Sequence, residues 1–152
     1  PVDFVQRERA PDGIVDHTGE VQVLRTAQDD DLKLYVTARL LHLRARHAAL
    51  FAEGSYAPLA ASGAKAAHVF AFQRAHHDEA AIVVVPRLTC GLSRDVPIRE
   101  VWGDTAIRLP LTGSVRAWRC ELGGQVVQAQ DGGLPMTELT GRLPVAVLTP
   151  HR

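Results

Sequence analysis

The sequence has few of the residues that mark several common functional classes. Aromatic residues make up only 5% of the chain, which is low for a domain that stacks on sugars. The 17 Lys and Arg residues balance the 17 Asp and Glu residues. Because no long run of one sign occurs, neither nucleic acid nor an anionic membrane is favoured as a partner. The longest strongly apolar run, Ala80–Pro86, is far too short to cross a bilayer.

The start of the sequence and its cysteines give further expectations. Pro1 opens a mixed polar segment with no initiator Met and no apolar core of a signal peptide, so we expect a cytoplasmic piece of a longer protein. Only Cys90 and Cys120 could form a disulfide, and we favour two buried thiols instead. The 152 residues, 46% of them hydrophobic, suffice for one globular domain or for one domain with an appendage.

The most informative segment is Leu32–Tyr56, which has the period of a long helix with two apolar sides. The first stripe consists of Leu32, Val36, Leu40, Leu43 and Leu50. The second stripe, on nearly the opposite side, consists of Leu34, Ala38, Leu41, Ala45 and Ala48. An ordinary surface helix carries one such stripe. The pattern therefore predicts a helix over about 32–51, capped by Asp29–Asp31 and ending near Gly54. Two bodies should pack on it, of which only one is in this chain.

After Gly54 the period changes to that of short strands. The predicted strands are 56–60, 68–74, 80–85, 106–111, 115–120, 125–130 and 143–148. A turn at 61–64, a polar loop at 75–79 and Gly-containing turns at 112–113, 123–124 and 131–133 separate them, and Met136–Leu139 reads as one helical turn. We predict a mainly β fold, an antiparallel β-sandwich. One long α-helix and a poorly defined N-terminal segment, residues 1–31, precede it.

This order of segments resembles the C-terminal region of the maltooligosyl trehalose synthases, which are members of the α-amylase superfamily. The resemblance is carried by the opening PVDF and by KLYVTARLLHLRARHAALFAEGSYAPL (33–59), AAHVFAFQR (66–74), AAIVVVPRL (80–88), WGDTAIRLPL (102–111) and LPMTELTGRLPVAVL (134–148). Residues 5–31 depart from the family pattern, and Ala48 stands where relatives often carry Pro. The resemblance implies that residues 1–54 end the catalytic barrel region, as a linker plus the last barrel helix. Residues 55–152 would form the amylase-type C-terminal β-sandwich.

The resemblance also implies the activity of a parent enzyme. Such a bacterial isomerase of trehalose biosynthesis converts the reducing-end α-1,4 linkage of a maltooligosaccharide into an α,α-1,1 linkage by intramolecular transglycosylation, without a cofactor. Members of the superfamily use an Asp nucleophile and a Glu acid/base, and none of those motifs matches a position here. We therefore assign no catalytic residue and expect an inactive segment that scaffolds the missing upstream barrel. The uncovered second stripe could produce an artificial dimer of the isolated segment.

Two other functional readings remain open. A non-catalytic glucan-binding module would share the sandwich architecture, with Trp102, Trp118 and Tyr56 as weak candidates for a sugar platform. Core or hinge packing is the preferred account of the two Trp residues. A self-standing interaction domain would use the second stripe as an oligomer interface. The run His76–Glu79 invites a metal, but no partner cluster with ligand spacing is apparent, so we expect a solvated hairpin loop and no metal site.

Overall fold

The computed structural model of the protein describes residues 29–93, 99–110, 115–141 and 143–151, with side chains from Leu32 onward. Expectations about residues 1–28, Leu111 and the turn at 112–113 lie outside these ranges, as do the side chains of Asp29–Asp31, on which the predicted cap depends. Two compact units divide after His47: Pro1–His47 and Ala48–Arg152. The domain boundary predicted after Gly54 stays a prediction. None of the helices in these ranges is both long and apolar enough to span a membrane.

The helices are α1 Asp29–Arg46, α2 Ala48–Ala52 and α3 Met136–Leu139. The predicted long helix is confirmed over Asp29–Arg46, and a turn at His47 separates it from α2, which covers the rest of the predicted span. The end predicted near Gly54 is confirmed: the Gly54 N–H bonds to Leu50 O at 3.2 Å, and α2 does not continue.

The predicted antiparallel sandwich is confirmed as two sheets. The strands are β1 Ser55–Leu59, β2 Ala61–Ser62, β3 Val69–His76, β4 Glu79–Pro86, β5 Ala106–Arg108, β6 Ala117–Cys120, β7 Val126–Gln128, β8 Gly133–Pro135 and β9 Ala146–Pro150. The large sheet has the order β1-β3-β4-β9-β6-β7, and the small sheet has the order β2-β5-β8. All neighbouring strands in these two sheets run antiparallel.

The β3–β4 hairpin sets the two faces of the large sheet. Its register runs from Val69 opposite Pro86 to His76 opposite Glu79, so the polar loop predicted at 75–79 is shortened to a tight turn in which His77 has φ +50°. Residues directly opposite each other share a face, and successive residues alternate between faces. Ala71, Ile82 and Val84 lie on the inner face and are buried. On the same face β9 places Leu148 opposite Ile82.

Several short elements differ from the prediction. β2 forms at Ala61–Ser62, where a turn was expected, and pairs with β5. Gly133 begins β8 and was expected in a turn. Between β4 and β5, the described residues contain 3₁₀ turns at Thr89–Gly91 and Arg99–Trp102, for which no element was predicted. Strands of two or three residues are too short to show the alternation from which a strand is predicted.

Both cysteines are free thiols. Cys120 is buried on β6, as expected, whereas the burial expected for Cys90 is wrong. Cys90 lies in the 3₁₀ turn that follows β4, in a run of exposed residues from Arg87 to Gly91.

A single arginine ties α2 to the large sheet. Nη2 of Arg74, on β3, donates to Gly54 O at 2.8 Å and to Phe51 O at 3.2 Å. The last carbonyls of a helix have no partner within the helix, and a cationic side chain satisfies them and complements the helix dipole. Arg74 therefore acts as a C-terminal cap of α2 supplied from a different element.

Replacing this cap should destabilise the protein. We expect Arg74→Ala to lower the free energy of unfolding by about 1–3 kcal/mol, because two carbonyls lose a charged donor. Urea unfolding followed by circular dichroism measures the change. Arg119→Ala is the control, because Arg119 is exposed on β6 of the same sheet, and it should stay within about 0.5 kcal/mol of the parent chain. Equal effects of the two substitutions would contradict the capping role.

Candidate functional site

An apolar surface lies on the outer face of the large sheet, and the strand register assembles it. Phe72 lies between Pro58 on β1 and Val83 on β4, and Phe70 lies opposite Val85. Tyr56 joins them from β1, where it lies opposite Arg74. We call this surface the outer patch; its members are Tyr56, Pro58, Phe70, Phe72, Val83 and Val85.

The outer patch is open to solvent at its rings. Tyr56 is 55% exposed and Phe70 is 43% exposed, while Phe72, Val83 and Val85 are half-buried. The ring centroids of Tyr56 and Phe72 are 5.1 Å apart with planes inclined by 33°, and those of Phe70 and Phe72 are 6.0 Å apart with planes inclined by 58°. These rings form one continuous apolar surface, but they do not form a flat platform.

Among the described residues, α2 covers the hairpin end of the outer face of β3 and β4. The helix α2 contacts β3 and β4, and Arg74, which lies on this face, is bonded to the end of α2. Ala81, opposite Arg74, is completely buried. At the other end of β3 and β4, Phe70 and Val85 lie beyond α2. The outer patch therefore continues a face that a helix has already partly covered.

The two stripes of the helical segment also differ in exposure. In the first stripe, Leu43 is 1% exposed and Leu50 of α2 is fully buried. In the second stripe, Leu41 is 60% exposed, and Ala45 and Ala48 are exposed as well. The second stripe thus stays open at its C-terminal end, as it should if its cover lies outside this chain.

A shallow cavity of about 310 Å³ lies beside the small sheet. Asp104 Oδ1 accepts the Ala64 N–H and Thr105 Oγ1 accepts the Lys65 N–H, each at 3.0 Å. These two side chains therefore stabilise the turn that follows β2. The polar side chains that line the cavity are Ser62, Asp104, Thr105, Arg108, Gln130 and Asp131. No aromatic side chain is part of the described lining, so a pyranose ring would find hydrogen-bonding groups there but no stacking surface.

The structure separates the three weak candidates for a sugar platform. Trp102 and Trp118 are buried, so neither indole offers a face to a ligand. Trp102 ends the 3₁₀ turn Arg99–Trp102, which contacts α3, and Trp118 lies opposite Val127 on the inner face of the large sheet. Tyr56 alone of the three is exposed, and it lies in the outer patch. Sequence reasoning did not find this patch as a unit, because strand alternation alone does not show which face of β3 is outward.

The His76–Glu79 run forms the tip of the β3–β4 hairpin. The rings of His76 and His77 are 4.2 Å apart in an edge-on arrangement, and His76 Nε2 lies 3.8 Å from Glu53 Oε2. Across the part of the chain that the structure describes, no group of three or more His, Cys, Asp or Glu residues could hold a metal ion. The run connects the hairpin to the end of α2 through the Glu53 contact.

The protein is an antiparallel two-sheet β-sandwich that follows a helical segment. It exposes apolar side chains on the outer face of its large sheet. No protein-family model matches this chain, and no curated protein is significantly similar to it. Among solved structures, a point mutant of maltooligosyltrehalose synthase from Arthrobacter ramosus matches 99% of this chain, with a TM-score of 0.72 and 30% identical residues.

The match confirms the resemblance that the ordered sequence segments predicted. The chain spans 17% of the length of that enzyme's chain. An alignment that takes in almost all of this chain and so little of the enzyme is the pattern expected when one segment of a large protein is compared with the whole.

A matched pair of substitutions tests the difference between the two stripes. Leu43→Ala should lower the free energy of unfolding by about 2–5 kcal/mol, because it empties a buried site. Leu41→Ala removes the same atoms from an exposed site and should cost less than about 0.5 kcal/mol. Urea denaturation of the two variants gives both values. A comparable loss at Leu41 would mean that this chain itself covers the second stripe.

Proposed function

We propose that this chain is the C-terminal segment of a maltooligosyl trehalose synthase, in which it supports the catalytic barrel and does not carry out the reaction. The observation that carries the proposal is the 30% identity and TM-score of 0.72 over 99% of the chain, set against 17% coverage of the enzyme. The parent would be a cytoplasmic enzyme without a cofactor that converts the terminal α-1,4 linkage of a maltooligosaccharide into an α,α-1,1 linkage.

The surface properties of the chain support a structural role. Among the exposed large apolar side chains, Tyr56 and Phe70 lie in the outer patch and Leu41 lies in the second stripe of the helical segment, where a packing partner would gain from burying them. Leu88 and Val126 are exposed outside these two surfaces. A retaining glycoside site instead needs two carboxyl groups about 5–5.5 Å apart across a cleft that holds the sugar. In the cavity beside the small sheet, Asp104 already accepts a backbone N–H of a turn.

The exposed ring of Tyr56 supports a second candidate function, that of a glucan-binding module. An exposed ring can stack on a pyranose face. The aromatic planes in the outer patch are inclined to one another, which weighs against glucan binding. Consecutive glucose units of a glucan would need aromatic faces arranged along one surface on which to stack. Calorimetric titration is the appropriate method, because both Trp residues are buried and their fluorescence would report poorly on a surface ligand.

The isolated chain should neither convert nor bind maltooligosaccharides. Incubation with maltopentaose should give no trehalose-ended product by anion-exchange chromatography, and titration should give no saturable heat at concentrations up to several mM, a range that detects Kd values of about 1 mM. The full-length parent, expressed from the complete reading frame, is the positive control.

The two possible failures of this test differ. Turnover by the isolated chain would overturn the proposal that the chemistry resides upstream. Saturable binding that Tyr56→Ala abolishes, without turnover, would favour the glucan-binding module. A complete reading frame without a barrel-encoding sequence before Pro1 would remove the parent enzyme altogether.

A further inference from the structure

We propose that the outer patch is the surface on which the upstream part of the parent protein docks, through an apolar helical face that lies beside α2. This inference rests on the proposed function and adds to it the surface that makes the contact.

The first step of the argument is the gradient of burial along one face of two strands. At the Arg74 and Ala81 end, α2 lies over the face and Ala81 is fully buried. At the Phe70 and Val85 end, the face has the same apolar character, but Phe70 is 43% exposed and Val85 is half-buried. A helix already occupies the adjoining half, so a second helix placed alongside α2 would continue the same layer over the sheet.

The second step concerns the residues that β3 and β4 place on this face. In an antiparallel sheet with one face in water, the outward positions are polar. Here the outward positions of β3 and β4 at this end are Phe70, Phe72, Val83 and Val85. β4 is therefore apolar on both faces, the pattern of a strand that is covered on both sides.

The third step identifies the partner that covers the outer patch. The patch has no charged member, as in the buried centre of a protein interface. Its only polar side-chain atom is the Tyr56 hydroxyl, so a glucan would find almost no partners for its hydroxyl groups. The similar enzyme extends far beyond the matched 17% of its length, which supplies ample chain to cover the patch.

A charged residue introduced into the outer patch tests the inference, because its effect on the Tm should differ between the full-length parent and the present chain. Phe70→Arg should lower the Tm of the full-length parent by at least about 5 °C, because docking would then bury an unpaired charge. In the present chain alone it should shift the Tm by less than about 2 °C, because position 70 faces solvent. Leu88→Arg is the matched control: Leu88 is 63% exposed in the turn after β4 and should be neutral in both proteins.

Nitration of tyrosine by tetranitromethane gives a second readout that needs no variant. Tyr56 should react at least tenfold more slowly in the native full-length parent than in the present chain, as measured on the Tyr56 peptide by mass spectrometry. Tyr35, which is buried within this chain, serves as an internal reference that should react slowly in both.

The outcomes separate this inference from the proposed function. A full-length parent that tolerates Phe70→Arg and nitrates Tyr56 at the rate of the isolated chain would overturn the docking surface. Deletion of residues 48–152 tests the supporting role itself: if it destabilises a parent that tolerates Phe70→Arg, only the docking inference fails.

Two further outcomes would assign the patch to another occupant. If Phe70→Arg leaves the Tm of the full-length parent unchanged but raises its KM for maltopentaose, the patch binds glucan. Protection of Tyr56 in the isolated chain that grows with concentration would assign it to a second copy. Either result overturns the inference.

Discussion

The structure depends on one strand that is apolar on both faces. Ile82 and Val84 of β4 point inward and are completely buried, while Val83 and Val85 point outward and are half-buried. β4 pairs with β3 along its whole length and with β9 over Ile82–Val84, so it is not an edge strand. The inner face lies within the sandwich. The outer face has α2 over one end, and this unequal cover leaves the outer patch open to solvent.

The joint between α2 and the sheet keeps that partial cover in place. Arg74 on β3 holds the last carbonyls of α2. Gly54 is required at the same point, because a Cβ there would collide with Leu50 O and lie 3.1 Å from Ala75 O. Ser55 Oγ adds a 3.2 Å bond to Ala75 O at the first position of β1. Side-chain and backbone groups from three elements thus fix where the helix ends and where the outer face becomes open.

The elements found from sequence are those with enough residues to show a period. β3 alternates and β4 is a continuous apolar run, and both were predicted within a few residues, as was the helical turn at Met136–Leu139. β2 and β8 are too short for any period. The break at His47 was missed because His and Ala are both compatible with a helix. The Arg74 cap joins residues 20 and 23 positions apart, a pairing that no local pattern contains. The exposed ring of Tyr56 was a candidate, but its grouping with Phe70 and Phe72 needed the strand register.

The contrast between polar and apolar groups supports the structural role proposed for this chain. Catalysis requires polar side chains that converge on an open cleft and remain available to a substrate. Asp104 and Thr105 are instead engaged with backbone N–H groups of a neighbouring turn. The outer patch and the second stripe are apolar, and burying such surface yields about 25 cal/mol for each Å² removed from water. Such surface favours association without specifying any chemistry. The chain would therefore act on a reaction only through the position in which it holds its partner.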